Sequence, residues 1–194
     1  MRRKQCEVTE SKQIASILER CRVGRLATIG EEGYPYIVPL NFVYWQGAVY
    51  FHCAKKGEKM DNIQRDPKVC FEVDIPLSYV GRECNSHLQP CQVHQLYHSV
   101  IIRGKAEVVE EITEKVGALN ALMASHEERP DFDEIQPDMA GVKICSVVAV
   151  RVESITAKSD LLQKKTAEDK NHVAGYLEKR DLPGDAEAAE LLRR

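Results

Sequence analysis

The chain has 194 residues, 43% of them hydrophobic, which suits one ordinary domain with a sizeable core and argues against two full ones. Its 27 basic and 30 acidic residues are well mixed, and a net charge of −3 excludes the strongly basic surface of a nucleic-acid-binding protein. No apolar run approaches the roughly 20 residues that span a bilayer, and the charged N-terminus lacks the apolar stretch of a signal peptide, so we expect a soluble, cytoplasmic protein without a membrane partner.

The first half of the chain reads as a helix followed by strands. Apolar residues three and four positions apart predict an amphipathic helix at 10–22. Strand-like alternation and turn residues then predict, in order, strands at 23–29, 34–44 and 48–54, a short helix at 55–66 and a strand at 69–75.

The second half begins with a long segment that has no period, at 76–96. After it come a strand at 97–109 with a bulge at Gly104, a helix at 113–126, a strand at 142–155 and two short surface helices within 158–194. Strands that follow one another in hairpins, with helices inserted late and at the ends, predict the α+β class and a six-stranded antiparallel barrel with peripheral helices. We place the barrel domain, with its N-terminal helix, at 1–158 and a C-terminal helical extension at 159–194.

Three segments carry a family resemblance: GRLATI at 24–29, GYPYIVPLNF at 33–42 and YFHCAKKGEKMDNI at 50–63. Together they resemble the pyridoxamine 5′-phosphate oxidase-like flavoproteins, and within them the nitroimidazole-resistance (Nim-like) branch. The resemblance runs over about 23–155. It implies an FMN-binding split β-barrel that forms a homodimer, with flavin mononucleotide in a groove at the subunit interface.

The resemblance also implies which residues hold the flavin. The segment Tyr36 to Asn41 would lie along the isoalloxazine edge, Phe51 and His52 would flank the ribityl chain and ring, and Lys59 would hold the phosphate. The full set of predicted cofactor positions is Tyr36, Ile37, Val38, Pro39, Leu40, Asn41, Phe51, His52, Cys53, Ala54, Lys56, Lys59 and Ser99. Glu58 stands where the family often has a second basic residue, a role that Lys55 or Lys56 can take.

The residues themselves are compatible with a phosphate site. A phosphate needs a cation and backbone N–H donors, and the lysines at 55–59 open a predicted helix whose first amides are unpaired. Pro39 has no N–H and interrupts strand pairing, which suits backbone that faces a ligand. From these residues alone the alternative is a solvated lysine face and an edge strand marked by Pro39.

The resemblance to the Nim-like branch places His52 beside the flavin and the substrate, which makes it the predicted catalytic residue. It alternates with Phe51 in a strand and can donate a proton near neutral pH to a bound substrate. The alternative is a histidine that only packs and forms hydrogen bonds. Cys53 is adjacent and points to the opposite face, so a Cys–His nucleophile is geometrically poor and a thiol hydrolase is rejected.

A series that looks like metal ligands begins in the predicted 76–96 loop and ends in the strand that follows it. Its members are Cys84, His87, Cys91, His94 and His98. Such residues at this spacing are typical of zinc, but the series matches no standard zinc module. We therefore predict no metal, and we expect Cys91, His94 and His98 to shape the substrate side of the pocket.

The sequence thus predicts an FMN-dependent oxidoreductase that reduces a small heteroaromatic or nitroaromatic acceptor. Because no Gly-x-Gly-x-x-Gly motif is present, NAD(P)H would bind only transiently over the flavin. The alternative is a non-catalytic flavin- or haem-binding split-barrel protein. True pyridoxamine phosphate oxidation is disfavoured, since the acidic segment at 185–190 offers no basic cluster for a phosphorylated substrate.

Overall fold

The computed structural model describes residues 3–84, 89, 93–129 and 132–194. The strands are β1 (Glu7–Val8), β2 (Val23–Ile29), β3 (Pro35–Asn41), β4 (Val43–Trp45), β5 (Ala48–Cys53), β6 (Lys68–Val80), β7 (His94–Val108) and β8 (Ser146–Asp160). The helices are α1 (Ser11–Arg20), α2 (Glu58–Arg65), α3 (Ile112–His126), α4 (Ala140–Ile144), α5 (Ala167–Arg180) and α6 (Asp185–Arg193). Among the helices of these residues, none has the length and apolar character to cross a bilayer.

The strands form a sheet in the order β3-β2-β6-β7-β8-β5-β4, with β1 added on β8. The pairs β2–β3, β2–β6, β4–β5 and β5–β8 are antiparallel. The α+β class and the antiparallel sheet are therefore confirmed, although the described residues form eight strands and not six.

The extra strands have identifiable causes. The segment predicted as one strand at 34–44 is divided at Phe42, because β3 pairs with β2 whereas β4 pairs with β5. The Phe42 side chain is buried and meets Phe71 edge to face, with ring centroids 4.8 Å apart. β1 is a two-residue strand that contributes one short pairing to β8.

Other boundaries move by a few residues. β6 continues to Val80 and β7 begins at His94, so the two strands include both ends of the segment predicted as a loop at 76–96. Gly104, the predicted bulge, lies inside the continuous strand β7. A Cβ at this position would lie 2.1 Å from the carbonyl oxygen of Arg151, so the close approach of the β8 backbone requires glycine.

The chain divides into two compact units, and β6, β7 and β8 contribute residues to both. Unit 1 comprises Met1–Gln13, Asp74–Ser99 and Thr156–Arg194, and unit 2 comprises Ile14–Val73 and Val100–Ile155. This division differs from the predicted boundary at 158/159, which stays a prediction. In unit 2, one core cluster packs α3 against β5 and β8 through Ala118, Tyr50 and Val147.

In unit 1, α5 and α6 confirm the two helices predicted for the C-terminal segment. Thr166 and Asp169 form a capping box that starts α5. Leu177 and Leu192 are buried in one cluster with Leu77 of β6, so these helices bury apolar faces and are not merely solvated surface helices.

A buried carboxylate joins α6 to α5 and β6. Asp185, only 1% exposed, accepts hydrogen bonds from Arg180 Nη2 at 2.6 Å and Nε at 2.8 Å, and from Ser78 Oγ at 2.6 Å. The Arg180 hydrogen bonds, together with those from Ser78 and the Leu182 amide, lower the pKa of Asp185 to about 2. The charged form is therefore the one that the folded state stabilises.

Asp185 should make the folded state sensitive to acid. Because its pKa is lower in the folded than in the unfolded chain, its contribution to stability is complete above about pH 4 and is lost as the pH falls toward 2. We expect Asp185→Asn to remove roughly 2 kcal/mol of the acid-dependent decrease in the free energy of unfolding, as measured by urea titration across this pH range. Glu190→Gln, which removes an exposed ion pair with Arg194, should leave the decrease unchanged. Equal acid sensitivity of Asp185→Asn and wild type would contradict the assignment.

Candidate functional site

Helix α2 is fixed to strand β2 by a buried polar network. Asn62, 2% exposed, donates from Nδ2 to Thr28 Oγ1 at 3.0 Å. Arg65 Nη2 donates to Asn62 Oδ1 at 2.9 Å and to the carbonyl oxygen of Ile29 at 2.5 Å. The network fixes the C-terminal half of α2 beside β2.

The N-terminus of α2 borders a small pocket, which we call the α2 pocket. Its volume is 200 Å³, and it is lined by Tyr36, Val38, Cys53, Ala54, Lys56, Gly57, Glu58, Lys59 and Met60. Gly57 precedes the helix at φ +124°, and its carbonyl oxygen accepts from the amides of Met60 and Asp61. The amides of Glu58 and Lys59 come before these bonds and have no acceptor within the helix, so they can donate to an anion.

The charged residues around the α2 pocket differ in how they are engaged. Lys59 Nζ lies 5.1 Å from the centroid of the Phe51 ring. Lys55 Nζ donates to the carbonyl oxygen of Lys143 at 2.8 Å, which leaves Lys56 as the more available second cation. The Glu58 carboxylate extends toward the β2–β3 turn, where Oε1 would be 3.9 Å from a Cβ placed on Gly30. Of the two candidate second cations, Lys56 is therefore the better placed.

Strand β3 leaves one edge unpaired in the described sheet. Gly30 N–H donates to the Tyr34 carbonyl, so the hydrogen-bonded pairs of this antiparallel hairpin continue through the even-numbered residues. The backbone groups of Pro35, Ile37 and Pro39 then face the open edge. Carbonyl acceptors lie at all three of these positions, and of the three only Ile37 also has an N–H donor, because proline has none.

A second, larger pocket lies between β3, β5, α3 and α4, and we call it the apolar pocket. Its volume is 550 Å³, and it is lined by Asn41, His52, Leu119, Leu122, Met123, His126, Ile135, Met139, Gly141, Val142, Ile144 and Cys145. No Lys, Arg, Asp or Glu belongs to this lining in the part of the chain that the structure describes. Both the volume and the composition are typical of a small-molecule site.

Strand β5 separates the two pockets. His52 lines the apolar pocket and Cys53, the next residue, lines the α2 pocket. The ring of His52 is exposed and forms no hydrogen bond to another described residue. Burial raises the pKa of the Cys53 thiol despite the nearby Lys59, which agrees with the rejection of a cysteine nucleophile.

The sequence of residues 10–159 matches the profile of the family described as pyridoxamine 5′-phosphate oxidase. The chain belongs to this family. No curated protein sequence matches the chain.

Three solved structures are similar to the chain. A candidate 5-nitroimidazole antibiotic resistance protein from Bacteroides thetaiotaomicron is 27% identical, with a TM-score of 0.66 over 78% of this chain and 85% of that one. The flavocytochrome Anf3 from Azotobacter vinelandii is 16% identical, with a TM-score of 0.69 over 82% of this chain and 71% of that one. A FAD- and haem-binding protein from Mycobacterium smegmatis is also 16% identical, with a TM-score of 0.68 over 84% and 78%. The first supports the resemblance to the Nim-like branch, and the other two share the fold.

The structure of this oxidase-family chain brings most of the predicted cofactor residues together in unit 2. Tyr36, Val38, Cys53, Ala54, Lys56 and Lys59 line the α2 pocket, and Asn41 and His52 line the apolar pocket. Ile37, Pro39 and Leu40 lie on β3, between Tyr36 of the α2 pocket and Asn41 of the apolar pocket. Phe51 is fully buried and lines neither pocket, so its predicted contact with the flavin stays a prediction. Ser99 is half-buried on β7 in unit 1, and its role stays a prediction.

Two histidines of the predicted metal-like series form hydrogen bonds within unit 1. His94 Nε2 lies 2.9 Å from Asp160 Oδ1, and the buried His98 places Nδ1 2.7 Å from Ser159 Oγ. His87 and Cys91 fall outside the described residues. Within the residues that are described, no three His, Cys, Asp or Glu side chains are grouped to hold a metal ion.

The sequence reasoning missed His126 and the residues of α3 and α4 that line the apolar pocket. The leucines of α3 and Met123 fall at helical spacing, and spacing alone does not separate a core face from a pocket wall. His126 reaches Asn41 across 85 residues of sequence, and neither lies in a motif that links them.

Removing the hydroxyl of Thr28 should loosen α2. Thr28→Val keeps the shape but leaves Asn62 Nδ2 without its buried acceptor, so the free energy of unfolding should fall by about 1–3 kcal/mol in urea titration. Thr28→Ser retains the hydroxyl and should cost less, about 1 kcal/mol for the lost methyl group. If the valine variant is the more stable of the two, the network does not hold the helix.

Proposed function

We propose that the protein is an FMN-dependent oxidoreductase that reduces a small heteroaromatic or nitroaromatic acceptor. The observation that carries this proposal is the position of His52 and Cys53, consecutive residues that border an apolar pocket and a pocket suited to an anion. A ligand with an anionic end and a flat aromatic end fits these two pockets. FMN has both.

The residues present suit this cofactor. Lys59, Lys56 and the first amides of α2 would hold the phosphate. The open edge of β3, with its acceptors and the Ile37 donor, would meet the polar edge of the isoalloxazine ring. A 200 Å³ α2 pocket suits one phosphate better than the diphosphate and adenosine of FAD. The shared fold of a flavocytochrome and a FAD- and haem-binding protein supports a flavin in general.

The chain would contribute binding, orientation and a proton. FMN, when bound, supplies two-electron chemistry between a donor such as transiently bound NAD(P)H and the acceptor. The walls from α3 and α4 would exclude water and orient a flat, uncharged acceptor. His52, whose ring has no partner among the described residues, would donate a proton from a ring nitrogen to the acceptor as it is reduced.

We also propose that the protein acts as a homodimer with the flavin at the subunit interface. Apolar side chains near both pockets are exposed in the single chain, including Ile37 at 59% and Ile144 at 72%. A second subunit would cover such surface, which monomers seldom leave uncovered in large patches. Sedimentation of the flavin-loaded protein as a monomer would argue against the dimer.

A non-catalytic flavin- or haem-binding role is the second candidate, and the apolar pocket gives a reason for it. His52 shares this pocket with Met123 and Met139, and histidine and methionine are the axial ligands of many haems. The visible spectrum of the purified protein separates the candidates. Bands at about 370 and about 450 nm indicate flavin, a sharp Soret band indicates haem, and a protein that takes up neither cofactor contradicts both.

Lys59→Ala should weaken FMN binding by about 10- to 100-fold in fluorescence titration, because a charge-assisted hydrogen bond to the phosphate is lost. Lys59→Arg retains the charge and should bind more tightly than the alanine variant. The matched control is Lys55→Ala, since Lys55 is engaged by the Lys143 carbonyl, and its affinity should stay within about twofold of wild type. Equal losses at Lys55 and Lys59 would mean that the phosphate is held elsewhere.

His52→Ala should leave FMN bound but slow turnover by about 100-fold or more, because the proton donor is lost. His52→Gln tests the proton itself, since glutamine can form a hydrogen bond but cannot act as an acid at neutral pH. The measurement is re-oxidation of the reduced flavin by a nitroimidazole in single-turnover experiments. Wild-type rates in both variants would remove His52 from the mechanism.

A further inference from the structure

The ring of His126, at the end of α3, bridges two consecutive residues at the end of β3. Its Nε2 lies 3.0 Å from the carbonyl oxygen of Phe42, and its Nδ1 lies 3.3 Å from Asn41 Nδ2. The backbone around the ring is also held, because Arg22 Nη1 donates to the His126 carbonyl oxygen at 2.7 Å. The Phe42 side chain is buried against Phe71. The Phe42 carbonyl, which accepts the hydrogen bond from His126, therefore belongs to a residue anchored in the core of unit 2.

The contact with Phe42 fixes the tautomer of the neutral His126 ring. A carbonyl oxygen only accepts hydrogen bonds, so Nε2 must carry the hydrogen in the bond to Phe42. In the neutral ring Nδ1 is then an acceptor, and the Asn41 group that faces it must be the NH₂. The side-chain amide of Asn41 is thereby oriented.

This orientation gives the apolar pocket a hydrogen-bond acceptor. With its NH₂ directed to His126, Asn41 has its Oδ1 available, and this oxygen receives no hydrogen bond from any other residue in the described ranges. Asn41, His52 and His126 all line the apolar pocket. A neutral acceptor at the edge of an otherwise apolar site selects for a ligand that offers a donor, because an unsatisfied polar group there lowers affinity.

We infer that His126 is a positioning residue that presents Asn41 Oδ1 as the acceptor for a ring N–H of the bound heterocycle. This inference rests on the proposed function and deepens it. The N–H can belong to the flavin, at N3, or to a heteroaromatic acceptor. The chemistry is the same in both cases, and ring methylation distinguishes them.

The test compares each ligand with its N-methyl counterpart by equilibrium titration. FMN is paired with N3-methyl-FMN, and 4-nitroimidazole, bound to the FMN-loaded protein, is paired with 1-methyl-4-nitroimidazole. For the pair whose N–H meets Asn41, wild type should bind the unmethylated form about tenfold more tightly, the loss expected for one hydrogen bond. Discrimination in the FMN pair alone identifies the flavin, and discrimination in the nitroimidazole pair alone identifies the acceptor.

Variants of His126 assign the discrimination to the orientation of Asn41. In His126→Leu the Asn41 amide is free to turn. The ratio of the affinity for the unmethylated ligand to that for its N-methyl counterpart should then approach one, even if both affinities change. His126→Asn restores an acceptor near the position of Nδ1 and should recover part of the ratio. The matched control is the exposed neighbour Glu127→Gln, which should keep the full ratio.

The outcomes separate this inference from the proposed function. A wild type that binds FMN but shows a ratio near one for both pairs overturns the inference and leaves the proposed function standing. A full ratio in a folded His126→Leu also overturns it. A protein that binds no flavin overturns the proposed function, and the inference falls with it.

Discussion

The site depends on one constraint, the change of partner strand at Phe42. Before this residue the chain pairs with β2, and after it the chain pairs with β5. The buried ring of Phe42, packed on Phe71, fixes the point of change. β3 ends at this point as the end strand of the described sheet, and its last residue, Asn41, lies beside His126 at the end of α3. The position of Asn41 in the apolar pocket therefore depends on where the chain changes partner.

The two pockets illustrate how one strand can serve two chemistries. Alternation along β5 assigns His52 to the apolar side and Cys53 to the side of the α2 amides and Lys59. An anion is best held by charge and backbone donors, whereas proton transfer to an uncharged acceptor benefits from a poorly hydrated site. Lys56 and Lys59 line the α2 pocket, whereas no Lys, Arg, Asp or Glu lines the apolar pocket around His52 in the described residues.

The elements that depend on local pattern were predictable, and those that depend on distant partners were not. The helix α2, the strand β2 and the gathering of Lys59, Lys56 and Cys53 follow from short-range periodicity and a family motif. The break at Phe42 could not be predicted, because its cause is a choice between two partner strands. The role of His126 escaped for the same reason, since only the fold brings a helix end next to Asn41. The continuous β7 at Gly104 shows a third case, in which a glycine was attributed to local geometry although a neighbouring backbone requires it.

The prolines of β3 have a consequence for solubility as well as for ligand binding. An unpaired strand edge is a template on which other chains can add strands, and exposed Ile37 would increase that tendency. Pro35 and Pro39 remove two of the donors that an added strand would need, while their carbonyl groups remain available. The edge can therefore bind a small planar molecule, which needs few hydrogen bonds. It remains a poor template for the addition of a strand from another chain.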